Sequence, residues 1–212
     1  MVINMKKSKV LCAIIIIVAL TISVAACANN SNGAADEPVL LTVGERAISE
    51  VEAFHFLFSS AHIMRTYLPY IGWNDVIEGI PVVDFIKNEA VSAMRLYYAI
   101  HVKADELSAG LTAFQESELD RLWYELIIYY GNEEALFAKL EQDGLNLETY
   151  RYFNETTLLL ENLRELHSDT HSGAEFTSLM DEWREEIPYT LSEKFNNIDA
   201  IDIRELYERF NP

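Results

Sequence analysis

Signals that begin and end helices recur along this chain, and they restrict its fold more than any other feature of the sequence. The N-cap candidates are Ser49, Thr112, Asn132 and Asn146, and the candidate helix stops are Gly110, Gly131 and Gly144. An N-cap side chain accepts hydrogen bonds from first-turn N–H groups, and a glycine adopts the left-handed conformation that ends a helix. Glu52 and Gln115, three residues after two of the caps, complete capping-box patterns. Short helices with short connections predict an antiparallel bundle.

Helical periodicity continues beyond these boundaries. A long helix is expected from Pro81 to about Leu107, and two further helices are expected over roughly Ala174–Glu185 and Asp199–Phe210. Pro69 and Gly72 interrupt the pattern between the first two helices, so a loop or a short helical turn is expected there.

The stretch from Leu40 to Tyr67 combines a β signal with the first helix. Leu41 and Val43 alternate with polar neighbours, and Gly44 can take a positive φ, which predicts a strand, a tight turn and a strand stub. Since an isolated hairpin is marginally stable, the short strand pattern at 189–191 is its natural partner. The predicted fold class is all-α, an antiparallel helical bundle with a small N-terminal β-hairpin that a short C-terminal strand joins.

The first 26 residues have the pattern of an export signal. Three lysines precede an uncharged apolar run, and small residues come directly before Cys27. Val24–Cys27 resembles a bacterial lipobox, which implies that Cys27 is the first mature residue and is lipidated. An uncleaved membrane anchor is the alternative. The expected organisation is a signal peptide over 1–26, a flexible tether over 27–38 and a folded domain over 39–212, on the extracytoplasmic face of the cell membrane.

The composition argues against nucleic acid as a partner and against disulfide bonds in the mature protein. The chain has 34 acidic and 16 basic residues and a formal net charge of −18. Nucleic acids and anionic surfaces bind clustered Lys and Arg, so no nucleic acid is expected as a partner. Cys12 lies within the signal, so the mature protein is expected to have no disulfide.

Four segments mark the order of the helices. Val43–Ser49 opens the first helix, Leu107–Thr112 ends the long helix, Tyr130–Gly131 ends the next, and Gly144–Tyr150 precedes the following one. Their order and spacing resemble the N-terminal domain of the SurA and PrsA extracytoplasmic foldases. The resemblance covers about 40–166 and implies chaperone-type binding of unfolded polypeptides, with the rest of the chain as a return segment.

One domain of these foldases has no counterpart between the last predicted bundle helix and the return segment of this chain. In that family a parvulin prolyl-isomerase domain of about a hundred residues usually separates the last bundle helix from the return segment. Here only a few residues around 168–173 separate them. The resemblance therefore implies binding without catalysis.

No pattern points to another enzyme class. His167 and His171 are four residues apart, but the polar, turn-rich run around them predicts a solvated loop. His55 and His62 are expected on the surface of the first helix and His101 in the core. Neighbouring acidic residues arise by chance in so acidic a chain. We predict no catalytic residue, no metal site and no cofactor.

Aromatic residues are the remaining candidates for a site. Adjacent helical residues point about 100° apart, so neighbouring aromatic side chains cannot all face one core. Some are expected to line an apolar groove that binds peptide, and an ordinary core with amphipathic edges is the alternative. The candidates are Phe54, Phe56, Phe58, Tyr97, Tyr98, Trp123 and Tyr129.

Together these features predict a lipid-anchored extracytoplasmic chaperone whose partners are unfolded or exported polypeptides, held at the membrane by its lipid. Two alternatives stay open. One is a prolyl isomerase relative with residual activity, and the other is a scaffolding lipoprotein that binds one envelope partner.

Overall fold

The computed structural model describes residues 39–168 and 171–210. The predicted signal peptide (1–26), the tether (27–38) and the lipidation site Cys27 lie outside these residues. The strands are β1 (Val39–Val43), β2 (Arg46–Ser49), β3 (Val76–Ile77), β4 (Ile80–Pro81) and β5 (Tyr189–Leu191). The helices are α1 (Glu50–Tyr67), α2 (Val82–Glu106), α3 (Ala113–Tyr130), α4 (Glu133–Gln142), α5 (Leu147–His167), α6 (Gly173–Glu186), α7 (Glu193–Asn196) and α8 (Ala200–Phe210). A mostly helical chain with a small N-terminal sheet confirms the predicted fold class.

Helices α1, α3, α4 and α5 begin at the predicted caps. Thr112 Oγ1 accepts from the Gln115 N–H (3.2 Å) while Gln115 Oε1 accepts from the Thr112 N–H (2.9 Å), which completes the predicted capping box. The Asn132 and Asn146 side chains each accept a first-turn N–H at 2.8 Å. Ser172 begins α6 with a second complete capping box, which the sequence analysis did not identify.

Three details differ from the sequence-based expectation. Residues 68–75, after α1, form the predicted loop, but the hairpin β3–β4 that follows it before α2 was not expected. Its turn residues Glu78 and Gly79 both have positive φ (52° and 88°), as a type I′ turn requires. Pro81 ends this hairpin and directly precedes α2. After α2, the left-handed residue is Ser108 (φ 54°) rather than Gly110.

The three-stranded sheet has the order β2-β1-β5, with both pairs antiparallel. Val43 of β1 lies opposite Arg46 on one side and Tyr189 on the other. The C-terminal strand therefore joins the N-terminal hairpin, as predicted, and the two ends of the domain meet in one sheet.

Gly44, in the β1–β2 turn, has no room for a side chain. Its φ is +58°, its N–H donates to the Pro188 carbonyl at 2.8 Å, and a Cβ there would lie 2.2 Å from a Tyr98 ring carbon. The Tyr98 hydroxyl also accepts from the Glu45 N–H at 3.1 Å. This turn is thus held between α2 and the segment that leads into β5.

The core is centred on α2, which packs against α1, α5, α6 and α8. Basic residues of α2 attach the return segment, which we define as residues 171–210. Lys87 donates to the carbonyl of Asn196 at the end of α7 and to that of Ile198 (2.7 and 3.2 Å), and Arg95 donates to two carbonyls near the end of α6 (2.9 and 3.1 Å). Lys103 forms a salt bridge with Glu186 at 3.2 Å. Cations of one helix therefore satisfy carbonyls that a loop would otherwise leave without donors.

Replacing Gly44 with Ala should lower the free energy of unfolding by about 2–4 kcal/mol, since the methyl group adds overpacking to left-handed strain. Urea denaturation measures this difference. In a Tyr98→Ala background the ring is absent, so the same substitution should cost only the strain of about 1–2 kcal/mol. An equal loss in both backgrounds would contradict the packing explanation.

Candidate functional site

Helices α3 and α4 form a hairpin that lies outside the main core, and we call this hairpin the arm. No residue of α3 is buried, and in α4 only Leu136 and Leu140 are. Neither leucine belongs to the main core of the described residues. Helix α3 therefore keeps its apolar side chains at least partly in contact with solvent.

Large apolar side chains are concentrated on the outer side of the arm. Phe114, Tyr124, Ile128 and Tyr129 are between 61 and 80% exposed. Tyr124 and Ile128 are four residues apart and form one outward stripe. An exposed group of large apolar side chains in a folded domain marks a binding surface.

A cleft of about 300 Å³ separates α3 from α5. Trp123 lines it, with its ring centroid 6.1 Å from Phe137 of α4 and 6.2 Å from Tyr150 of α5. The guanidinium of Arg151 lies 5.6 Å from the Trp123 centroid. The contact between Trp123 and Tyr150 thus joins the arm to α5 beside the cleft.

A pair of amides holds the base of the arm. Gln115 Nε2 donates to Asn162 Oδ1 at 2.7 Å, and Asn162 Nδ2 donates to Gln115 Oε1 at 3.0 Å and to the Gly110 carbonyl at 2.9 Å. These bonds fix the first turn of α3 to the middle of α5. We call this arrangement the amide clamp.

The predicted aromatic residues fall in two places. Trp123 lines the cleft, and Tyr129 is exposed on the arm. The others are associated with the core: Phe56, Phe58 and Tyr97 are buried, and Phe54 and Tyr98 are half-buried against it. Phe56 packs edge-to-face on Tyr97 with centroids 5.2 Å apart, so this pair presents no surface to a ligand.

Several residues of the exposed surface were not among the predicted site residues: Phe114, Leu122, Tyr124, Ile128 and Phe137. The helical positions of Tyr124 and Ile128 could have indicated that these two are exposed. Tyr124 and Ile128 lie on a different side of α3 from Trp123, and a single-layer hairpin cannot bury both sides.

A second polar cluster is enclosed within the fold. Arg46 pairs with the buried Glu52, and its guanidinium lies 3.8 Å from the centroid of Tyr152. His101 stacks on Tyr152 (4.5 Å, 13° between planes). The Thr156 hydroxyl donates to the Tyr152 carbonyl, so it accepts from His101 Nε2, at 2.8 Å. Burial, with a smaller contribution from the charge of Arg46, lowers the pKa of His101 to about 4. This cluster joins β2, α1, α2 and α5 and serves the structure.

The other histidines differ partly from expectation. His55 is half-buried against Phe153 (4.9 Å between centroids) rather than fully exposed on the surface, and burial lowers its pKa to about 4. His167 is the last residue of α5, whereas His171 lies outside the helices, before α6, as predicted, and its N–H donates to the His167 carbonyl at 2.9 Å. Within the described residues, His, Cys, Asp and Glu form no group of three or more that could hold a metal. None of the helices described here has the length and apolar character needed to cross a membrane.

Comparison with known proteins gives no match among family models, curated proteins or solved structures. The similarity to SurA and PrsA foldases thus stays a prediction from motif order. The arm, with its outer apolar surface and its cleft, is the candidate functional site on geometric grounds.

Replacing Asn162 with Ala should loosen the arm without unfolding the core, because it removes the amide clamp. Backbone amides in 113–142 should exchange with deuterium faster, while those of α2 keep their protection, as hydrogen-exchange mass spectrometry would show. Thr157→Ala is the matched control, since the Thr157 hydroxyl donates within its own helix, to the Phe153 carbonyl, and Thr157 does not line the cleft. Equal effects of the two variants on the arm would contradict the clamp.

Stability should fall as the pH drops from about 6.5 towards 4. The folded protein holds His55 and His101 with pKa values of about 4, below the ordinary 6.5, so the unfolded chain binds more protons in this window. Urea denaturation measures the free energy of unfolding at pH 7 and at pH 4.5. Between these pH values, His101→Gln should lose roughly 1–2 kcal/mol less of this free energy than the unaltered protein, because Gln keeps a donor for Thr156 but does not titrate. The double variant with His55→Gln should show a smaller loss still. An unchanged pH dependence would show that neither imidazole contributes.

Proposed function

We propose that this protein is a lipid-anchored extracytoplasmic chaperone that binds unfolded or exported polypeptides without catalysing a reaction. The observation that supports this most is that α3 buries none of its residues and exposes Phe114, Tyr124, Ile128 and Tyr129. The arm thus presents an apolar surface outside the packed core.

Burial of the exposed side chains supplies the binding free energy. Removing one large apolar side chain from water contributes about 1.5–3 kcal/mol, and this contribution has no strong directional requirement. An unfolded polypeptide exposes the apolar residues that a folded protein buries, so such a surface favours unfolded chains and tolerates varied sequences.

The remaining features fit binding without catalysis. Helix α5 ends at His167 and α6 begins at Gly173, so no parvulin-sized domain separates them. The excess of acidic residues favours solubility beside an anionic membrane. Lipidation at Cys27 would keep the arm near polypeptides as they leave the membrane.

The purified protein should suppress aggregation of a reduced, unfolded client at near-stoichiometric ratios, as measured by light scattering. The double variant Ile128→Ser/Tyr129→Ser should lose most of this effect, because it removes two exposed apolar side chains from the arm. Both positions are largely exposed, so the fold should be retained, which circular dichroism and the unfolding transition would verify.

The matched control is Tyr70→Ser/Ile201→Ser, since Tyr70 (78%) and Ile201 (55%) are about as exposed as Tyr129 (80%) and Ile128 (61%) but lie outside the arm. This control should retain full suppression. No suppression by the unaltered protein at stoichiometric excess would contradict the proposed function. Equal losses in the two double variants would show that the arm is not the binding surface.

A further inference from the structure

The cleft between α3 and α5 combines an apolar wall with an acidic rim. The wall consists of Leu119, Leu122 and Trp123, and the rim includes Glu116, Asp120 and Glu155. Helix α3 contributes Glu116 and Asp120, and α5 contributes Glu155 together with Arg151, so the lining carries net negative charge around an apolar and aromatic interior.

The rim carboxylates have no cationic partner in the described part of the chain. Neither Glu116, Asp120 nor Glu155 takes part in a salt bridge there. Of the described residues that line the cleft, Arg151 is the basic one, and its guanidinium lies over the Trp123 ring.

The basic residues of the arm itself, Arg121 and Lys139, are paired with carboxylates. Arg121 bonds to Glu118 and Glu125, each at 2.6 Å, and Lys139 pairs with Asp143. Between Ala113 and Glu155 the sequence has ten acidic and three basic residues. The arm and the adjoining part of α5 therefore form a surface of strongly negative potential around exposed apolar groups.

Arg151 shows which group the cleft accepts. A guanidinium or ammonium over an indole face is stabilised by the ring quadrupole, and nearby carboxylates add Coulomb attraction. Arg151 already lies over that ring, so a Lys or Arg side chain of a bound polypeptide would instead meet the carboxylates of Glu116, Asp120 and Glu155, which have no cationic partner in the described residues.

We infer that the arm selects polypeptide segments in which apolar residues are flanked by Lys or Arg. The apolar residues would occupy the cleft wall and the outer surface, and the flanking cations would lie against Glu116, Asp120 and Glu155. This inference rests on the proposed function and defines its client class.

Three fluorescent peptides with one shared apolar centre and flanks of Lys, Ser or Glu would test the selection, with fluorescence anisotropy as the measurement. The Lys peptide should bind the unaltered protein about tenfold more tightly than the Ser peptide, and the Glu peptide more weakly than either. The preference for Lys should decrease as the salt concentration rises.

A variant with three amide substitutions at the cleft distinguishes an effect of the cleft carboxylates from an effect of the protein's net charge. It consists of Glu116→Gln, Asp120→Asn and Glu155→Gln, and it should reduce the preference for Lys about fivefold or more. The matched control changes the same number of exposed carboxylates outside the arm: Glu165→Gln, Glu182→Gln and Glu205→Gln. It should leave the preference unchanged, because it alters net charge equally but leaves the cleft intact.

Each outcome decides one claim. Equal binding of the three peptides would overturn the charge selection and leave the chaperone proposal standing. Equal losses in the two triple variants would assign the preference to net charge and overturn the role of the cleft. A failure of all three peptides to bind, together with no suppression of client aggregation, would overturn the proposed function itself.

Discussion

The burial of α2 on several sides is the constraint on which the rest of the structure depends. This helix of 25 residues is apolar over much of its circumference, so elements from before and after it in sequence must cover it. Its basic residues, Lys87, Arg95 and Lys103, bind the return segment. Because α1, α5, α6 and α8 occupy these positions, the arm in the described structure packs chiefly against α5, which leaves its apolar surface exposed.

An exposed apolar surface normally promotes self-association, and the arm combines it with charge. Arg121 lies between Glu118 and Glu125 on the outer side of α3, close in sequence to Tyr124 and Ile128. The excess of acidic residues makes two arms repel each other while leaving the aromatic groups accessible. A polypeptide with the opposite charge would not meet that repulsion. Solubility and selection would thus depend on the same carboxylates.

Much of the fold could be predicted from sequence because its signals are local. Caps such as Thr112 and Asn146 act within one turn. The pairing of β5 with the hairpin was predicted because no other strand pattern was identified, although β3 and β4 are also strands. The site was less predictable, since periodicity shows which residues share a face but not which face is covered. Phe56 and Tyr129 are both aromatic residues in predicted helices. Contact with Tyr97 of α2 buries Phe56, whereas Tyr129 is exposed. Pairs such as Gln115 and Asn162 join residues far apart in the chain, which no local pattern reveals.

The position of β1 between β2 and β5 also sets the order in which the domain can fold. The β1–β2 hairpin forms from neighbouring residues, whereas β5 comes from the far end of the described chain. Contacts between distant residues require a large loop to close, which slows folding. A ribosome or an export channel releases β1 long before β5. The sheet therefore stays incomplete until the return segment emerges, and a newly made copy of this protein is itself an unfolded polypeptide for most of its synthesis.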